Sequence, residues 1–98
     1  MKIYHNQKEF EADIKNGVFK SNESIDISEF NLDIEARIEV DGDINARNII
    51  AGNINAGDIN YYAVAFAYKN IKCKSIKGSR ENSKHFVLDG KITEENKN

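Results

Sequence analysis

Residues 43–60 read DINARNIIAGNINAGDIN, one five-residue unit stated three and a half times without a gap. Ile44, Ile49, Ile54 and Ile59 recur every five residues, as do Ala46, Ala51 and Ala56. Asp43, Asn48, Asn53 and Asp58 hold the position before each isoleucine. A strict short period means that each unit makes the same turn and rests on its neighbour, the signature of a β-solenoid. Within the unit Asp/Asn-Ile-x-Ala-x, isoleucine and alanine are two apart and so share one strand face. Both are expected inside, with the residue between them outside and the last two turning a corner. Alanine is small because so narrow a coil cannot hold bulky groups on every side. Asp and Asn suit corner dihedrals and bond to local backbone, while Gly52 and Gly57 are expected to take positive φ.

Before the repeat, Ser24 to Val40 alternates with period two: Ile25, Ile27, Phe30, Leu32, Ile34, Ala36, Ile38 and Val40, with acidic residues between. Asp33-Ile34-Glu35-Ala36 already fits the later unit, so the repeat begins in degenerate form near residue 33. After it, Tyr62, Val64, Phe66 and Tyr68 alternate with Ala63, Ala65 and Ala67. This predicts a longer strand with a flat alanine face on the solenoid and an aromatic face to be covered or used. Ile71 and Ile76 resume the five-residue spacing, 79–84 reads as a polar loop, and 85–88 as a last short strand.

The first segment predicts a short strand and then a helix. Asn6 is placed to N-cap it, Phe10 and Ile14 share one face, and Gly17 supplies a left-handed C′ residue. Such a helix is suited to covering one end of a solenoid, where strand edges would otherwise be open. The expected organisation is one domain: a helical cap at 1–23, the solenoid at 24–92 and a flexible tail at 93–98.

At 98 residues an ordinary core buries only about 60–65% of the unfolded surface. Stacked coils relieve that limit by sharing one continuous core. Hydrophobic content of 40% with a mean hydropathy of -0.62 excludes a disordered chain and a helical membrane protein. The single Cys73 and the lack of a signal-peptide pattern lead us to expect a reducing cytoplasm. Proline is absent, as suits a chain whose N–H groups are needed in ladders.

No residue pattern points to catalysis, a metal or a cofactor. The Asp/Asn set lacks the glycine-rich nonapeptide of calcium-binding β-rolls, so corner hydrogen bonding is the expected role. His5 and His85 have no companions at ligand spacing, and Cys73 reads as a small apolar thiol. Function is therefore expected at the surface, where charge is unevenly divided. Residues 1–60 carry six Lys/Arg against twelve Asp/Glu; residues 61–98 carry eight against four. The acidic candidates for partner binding are Asp33, Glu35, Glu39 and Asp41. The basic ones are Lys72, Lys74, Lys77 and Arg80, with Tyr62 and Tyr68 nearby. Alternation with Ile71 and Cys73 predicts that Lys72 and Lys74 project from one strand face. That basic stretch, 69–84, reads either as a nucleic-acid contact or as a solvated edge protected by lysine.

The pentad block resembles pentapeptide-repeat proteins, whose fold is a right-handed quadrilateral β-helix. The span from Asp43 to Gly90, with its INAGDINYYAVAFAYKNIKCKSIKG and ENSKHFVLDGKI segments, is similar to small phage and prophage proteins of low-GC Gram-positive bacteria. The fold implied is a right-handed, pentapeptide-repeat-like β-solenoid. The second resemblance carries no established activity, but small phage proteins without enzymatic motifs often bind a host protein, so the expected function is a non-enzymatic inhibitor of a nucleic-acid-targeting defence protein such as a CRISPR effector. Two alternatives stay open: a self-associating structural solenoid, hence a homo-oligomer, and a direct nucleic-acid binder.

Overall fold

The computed structural model describes residues 1–95, which form a β-solenoid of about five turns. Ile44 pairs with Ile59, 15 residues on, so three pentads close one coil. The resemblance to pentapeptide-repeat proteins implies four sides; this chain makes three. The first side stacks β1 (Lys2–Ile3), β4 (Ile25–Asp33), β6 (Ile44–Ala51), β8 (Asp58–Ala67) and β10 (Ser75–Gly78), all parallel. β4, β6 and β8 then bend around a corner, and their second halves form the next side with β11 (Lys84–Val87). The third side stacks β3 (Val18–Ser21), β5 (Arg37–Val40), β7 (Asn53–Asn55), β9 (Ile71–Cys73) and β12 (Ile92–Glu94).

Each side carries an inward stack of apolar residues in register. Ile25, Ile44, Ile59 and Ile76 line the first side; Leu32, Ile49 and Ala65 the second; Phe19, Ile38, Ile54, Ile71 and Ile92 the third. Most of these are fully buried, each side chain contributing about 1.5–3 kcal/mol of transfer free energy. Ala46, Ala51 and Ala56 are also buried, as the pentad phase predicts. The alanine face of β8 lies inside, and Tyr62 and Tyr68 stay outside. Tyr61 occupies the position stacked on Ala46 and points inward, with small Ala65 and Ala67 in the same coil to make room.

Coils above and below the clean repeat are longer, and the excess is taken up at corners. Ser28-Glu29-Phe30 of β4 stand opposite the single Arg47, and Tyr62-Ala63 of β8 do the same from the other side. Where strands turn, the Asp/Asn side chains replace the missing ladder bonds, reaching the next coil rather than their own backbone. Asp43 Oδ1 accepts from the N–H of Asp58 (2.8 Å), Asn48 Oδ1 from Val64 (3.0 Å) and Asn53 Oδ1 from Asn70 (3.2 Å). Asn70 extends this third series by accepting from Lys91 N–H (3.0 Å). Gly52 and Gly57 do not have positive φ. Gly52 is required by crowding, since a Cβ there would overlap the carbonyl oxygen of Glu35 in the coil beneath.

The amino-terminal end is closed. Asn6 caps α1 (Gln7–Ala12) by accepting from Glu9 N–H at 2.9 Å. The helix is shorter than its sequence suggests because Asn16 (φ 53) and Gly17 (φ 77) form a tight hairpin turn instead of a helix C-cap. That turn joins β2 (Ile14–Lys15) antiparallel to β3, the arrangement that paired positive-φ residues favour. Phe10 stacks on Phe19 at 4.0 Å between ring centroids, with Tyr4 edge-on to both, so three aromatic rings plug the core. The Gln7 carboxamide pairs with the backbone of Asp33 through both its atoms, at 3.0 and 3.1 Å, in place of a further strand. The boundary expected at residue 24 therefore moves, because Val18–Ser21 already belongs to the first coil. At the other end Thr93 and Glu94, expected in a frayed tail, pair with Lys72 and Cys73; 96–98 lie outside the described residues.

Two outcomes test this architecture. Ala51→Leu overfills the coil and is expected to cost on the order of 1–3 kcal/mol, whereas Asn55→Thr on the outer face should cost under about 0.5 kcal/mol. Equal losses in urea melts would place the inward phase wrongly. The second concerns Asp13, whose carboxyl is held below the ordinary 3.8 by hydrogen bonds from Tyr4 and then Lys2. A depressed carboxylate stabilises the fold above its unfolded value and loses that contribution as pH falls through the folded one. Asp13→Asn should therefore be less stable than the parent at neutral pH, with the gap closing below pH 3.8.

Candidate protein-binding surface

Because coils stack in chain order, the charge split along the sequence becomes an uneven distribution along the solenoid axis: residues 25–42 carry six Asp/Glu against one Lys/Arg, residues 59–74 carry three lysines and no acid, and both ends are balanced. The acidic residues named above divide into two groups. Asp33 ends β4 and Glu35 occupies the corner that follows. Together with Glu11 of the cap helix they line an open cleft of about 740 Å³, completed by Ile14, Ile34, Ala36 and Tyr68. Tyr68 comes from two coils further on and is 39% exposed. Glu39 and Asp41 lie on the third side and its corner, in a smaller hollow shared with Lys20, Ser21 and Asn22. Glu39 is also engaged by Arg37 at 3.2 Å.

The basic residues do not form a single strand face. Lys72 points out from β9 and meets Glu95 at 3.8 Å, while Lys74 follows at the corner beyond the end of β9. Lys77 lies on the first side, outward on β10 in register with Asn60. Arg80 leaves the turn after β10 and lines a hollow on the second side with Asn31, Asp33, Asn48, Ile50 and Val64. The stretch 69–84 thus winds around all three sides, and its charge is spread accordingly. Tyr62, 49% exposed, stands at the corner between the first and second sides, where its carbonyl accepts from Arg80 N–H at 2.8 Å.

The cleft brings Asp33, Glu35 and Tyr68 together and adds Glu11, which sequence reasoning did not select. Three acidic residues line one hollow beside an aromatic ring, a residue set suited to a lysine or arginine side chain of another protein. Gln7 Nε2 donates to Glu11 Oε2 at 2.9 Å, which fixes that side chain at the rim. Along the same side, Asp33, Ile50, Phe66 and Phe86 stand in register across four strands and point outward. The Phe66 and Phe86 rings lie 4.8 Å apart, and Tyr68 meets Phe66 edge-on at 5.1 Å.

Tyr61, His85 and Cys73 are engaged within the fold. The Tyr61 hydroxyl and His85 Nδ1 are 2.6 Å apart beneath the last coil. Cys73 is fully buried, and burial first, then nearby Glu94, pushes its thiol up to about 11, far from a reactive thiolate. Among the described residues no group of three or more His, Cys, Asp or Glu is placed to hold a metal ion. No helix among them is long and apolar enough to cross a membrane. Neither a family model, nor a curated protein, nor a solved structure matches this chain.

Cleft residues and corner residues should separate cleanly in stability measurements. Glu35→Lys, on an exposed side chain, is expected to shift stability by less than about 0.5 kcal/mol. Asn48→Ala strands the N–H of Val64 and should cost about 1–3 kcal/mol. A Glu35 variant as damaging as the Asn48 variant in urea melts would give the cleft a structural role instead.

Proposed function

We propose that this chain is a non-enzymatic, protein-binding inhibitor that engages a positively charged surface of a nucleic-acid-targeting protein. The observation that carries this reading is that Glu11, Asp33 and Glu35 line one open cleft with Tyr68. A nuclease or its relatives must present a positive surface to phosphates, and carboxylates can occupy it in their place. Tyr68, with Phe66 behind it, supplies rigid apolar area of the kind that anchors protein interfaces. The narrower part of the proposal, a phage-encoded inhibitor of a host defence protein such as a CRISPR effector, draws on the resemblance to small phage proteins. Direct nucleic-acid binding is the less favoured reading, because the basic residues are dispersed over three sides and Lys72 is paired with Glu95.

The test is capture of partners from a host lysate by the tagged protein, with and without nuclease treatment. Capture is expected to survive nuclease, to fall at least about tenfold on combining Asp33→Lys with Glu35→Lys, and to be largely unchanged by Lys72→Glu with Lys74→Glu. Purified partner should then bind with an affinity that weakens as salt rises. Capture that disappears with nuclease and depends on the lysines alone would overturn the inhibitor reading in favour of a nucleic-acid binder.

A further inference from the structure

The two ends of the solenoid are built differently. At the amino-terminal end the strand edges are short or covered: β1 and β2 are only two residues long, α1 packs against β4 with the Gln7 amide on Asp33, and the Tyr4–Phe10–Phe19 rings plug the core. At the other end β10, β11 and β12 each pair along one edge, and among the described residues nothing pairs with the second. Of the two loops of this coil, the first tucks Ser83 against Gly78 and the Tyr61 ring. Ser79 and Arg80 donate back to Tyr61 and Tyr62, and Asp89 to Tyr68, which holds both loops against the coil beneath. Core residues at this end, Val87 and Ile92, are only half-buried, and Phe86 and Leu88 are 44% and 70% exposed. Open strand edges beside exposed apolar side chains are what a second chain pairs with.

Charge and symmetry identify that chain. Residues 75–95 carry Lys77, Arg80, Lys84 and Lys91 against Glu81, Asp89, Glu94 and Glu95, four of each sign. A neutral, mixed end does not repel its own copy and offers little to a polyanion. A two-fold axis perpendicular to the solenoid axis turns every edge contact antiparallel. One strand then meets its own copy, and the other two exchange partners. β11 is the strand suited to the axis. Pairing Phe86 with its counterpart sets Lys84 opposite Leu88 on the outside and His85 opposite Val87 on the inside. Like charges are not opposed, and the alkyl stem of Lys84 covers Leu88. The outward row Ile50–Phe66–Phe86 then continues without interruption into the second copy.

We propose that two copies of this protein join at their carboxy-terminal ends, β11 pairing antiparallel with itself across a two-fold axis at Phe86 and β10 pairing with β12 of the other copy. The closed amino-terminal ends face outward and offer no edge of useful length, so association stops at the dimer and no filament grows. The interface uses none of Glu11, Asp33, Glu35 or Tyr68, so it stands or falls independently of the partner-binding reading.

Sedimentation and light scattering of the intact protein should give a dimer. Phe86→Asp places like charges across the axis and is expected to raise the dimer dissociation constant about tenfold or more, with an unchanged circular dichroism spectrum. Ile3→Asp, an exposed position at the closed end, should leave the dimer intact. Phe86→Cys should form an interchain disulfide under mild oxidation, because Cα atoms of a non-hydrogen-bonded antiparallel pair are about 4.5 Å apart, within the span of the bond. The native Cys73, buried and with its thiol pushed up to about 11, stays unreacted and serves as the internal control. A parent protein that remains monomeric or grows into filaments, a dimer indifferent to Phe86→Asp, or one broken by Ile3→Asp would each overturn the proposal.

Discussion

The structure depends on one coincidence of lengths: three pentads return the chain to the strand from which it started. Ile59 therefore lands on Ile44 with its backbone in hydrogen-bonding register and its side chain on the same inward stack. Backbone pairing and apolar burial are thus satisfied by the same step, which is what lets so small a chain form a continuous core. Slipping the register by a single residue would turn each isoleucine outward and abandon both at once.

The other coils show how much departure that constraint tolerates. Extra residues are admitted only where the strands turn, as at Ser28–Phe30 and Tyr62–Ala63, and the stacks on either side keep their alignment. The orphaned N–H groups at the corners are met by Asp43, Asn48 and Asn53 from the coil beneath. Interior volume is conserved in the same way. Tyr61 enters above Ala46 while Ala65 stands above Ile49, so a large group and a small one exchange sides between successive coils.

Stacking also shapes the surface. A solenoid places chain order along its axis, so an uneven charge distribution in sequence becomes a polar particle without any further device. Local groupings are another matter. Glu11, Asp33, Glu35 and Tyr68 come from the cap, one coil and a coil two further on, and meet because the cap helix lies against β4 while Tyr68 turns the same corner above. The Gln7 amide that closes the edge of β4 also holds Glu11 at the rim of the cleft, so end protection and site geometry share one side chain.

The sequence by itself determined the inward phase of the pentads, the Asn6 cap, the alanine face of β8 and the uneven division of charge along the chain. Each of these depends on alternation, short spacing or chain order, all of which are local. Only the tertiary structure decided the number of sides, the role of Gly52 and the fate of Gly17. The first depends on the count of residues between paired strands, the second on a neighbour in another coil, and the third on competition between a helix end and a hairpin turn. The same reason scattered Lys72, Lys74, Lys77 and Arg80 over three sides and drew Glu11 to Asp33. Side chains close in sequence share a face only while the strand stays straight. Side chains distant in sequence become neighbours wherever coil length brings their corners into line.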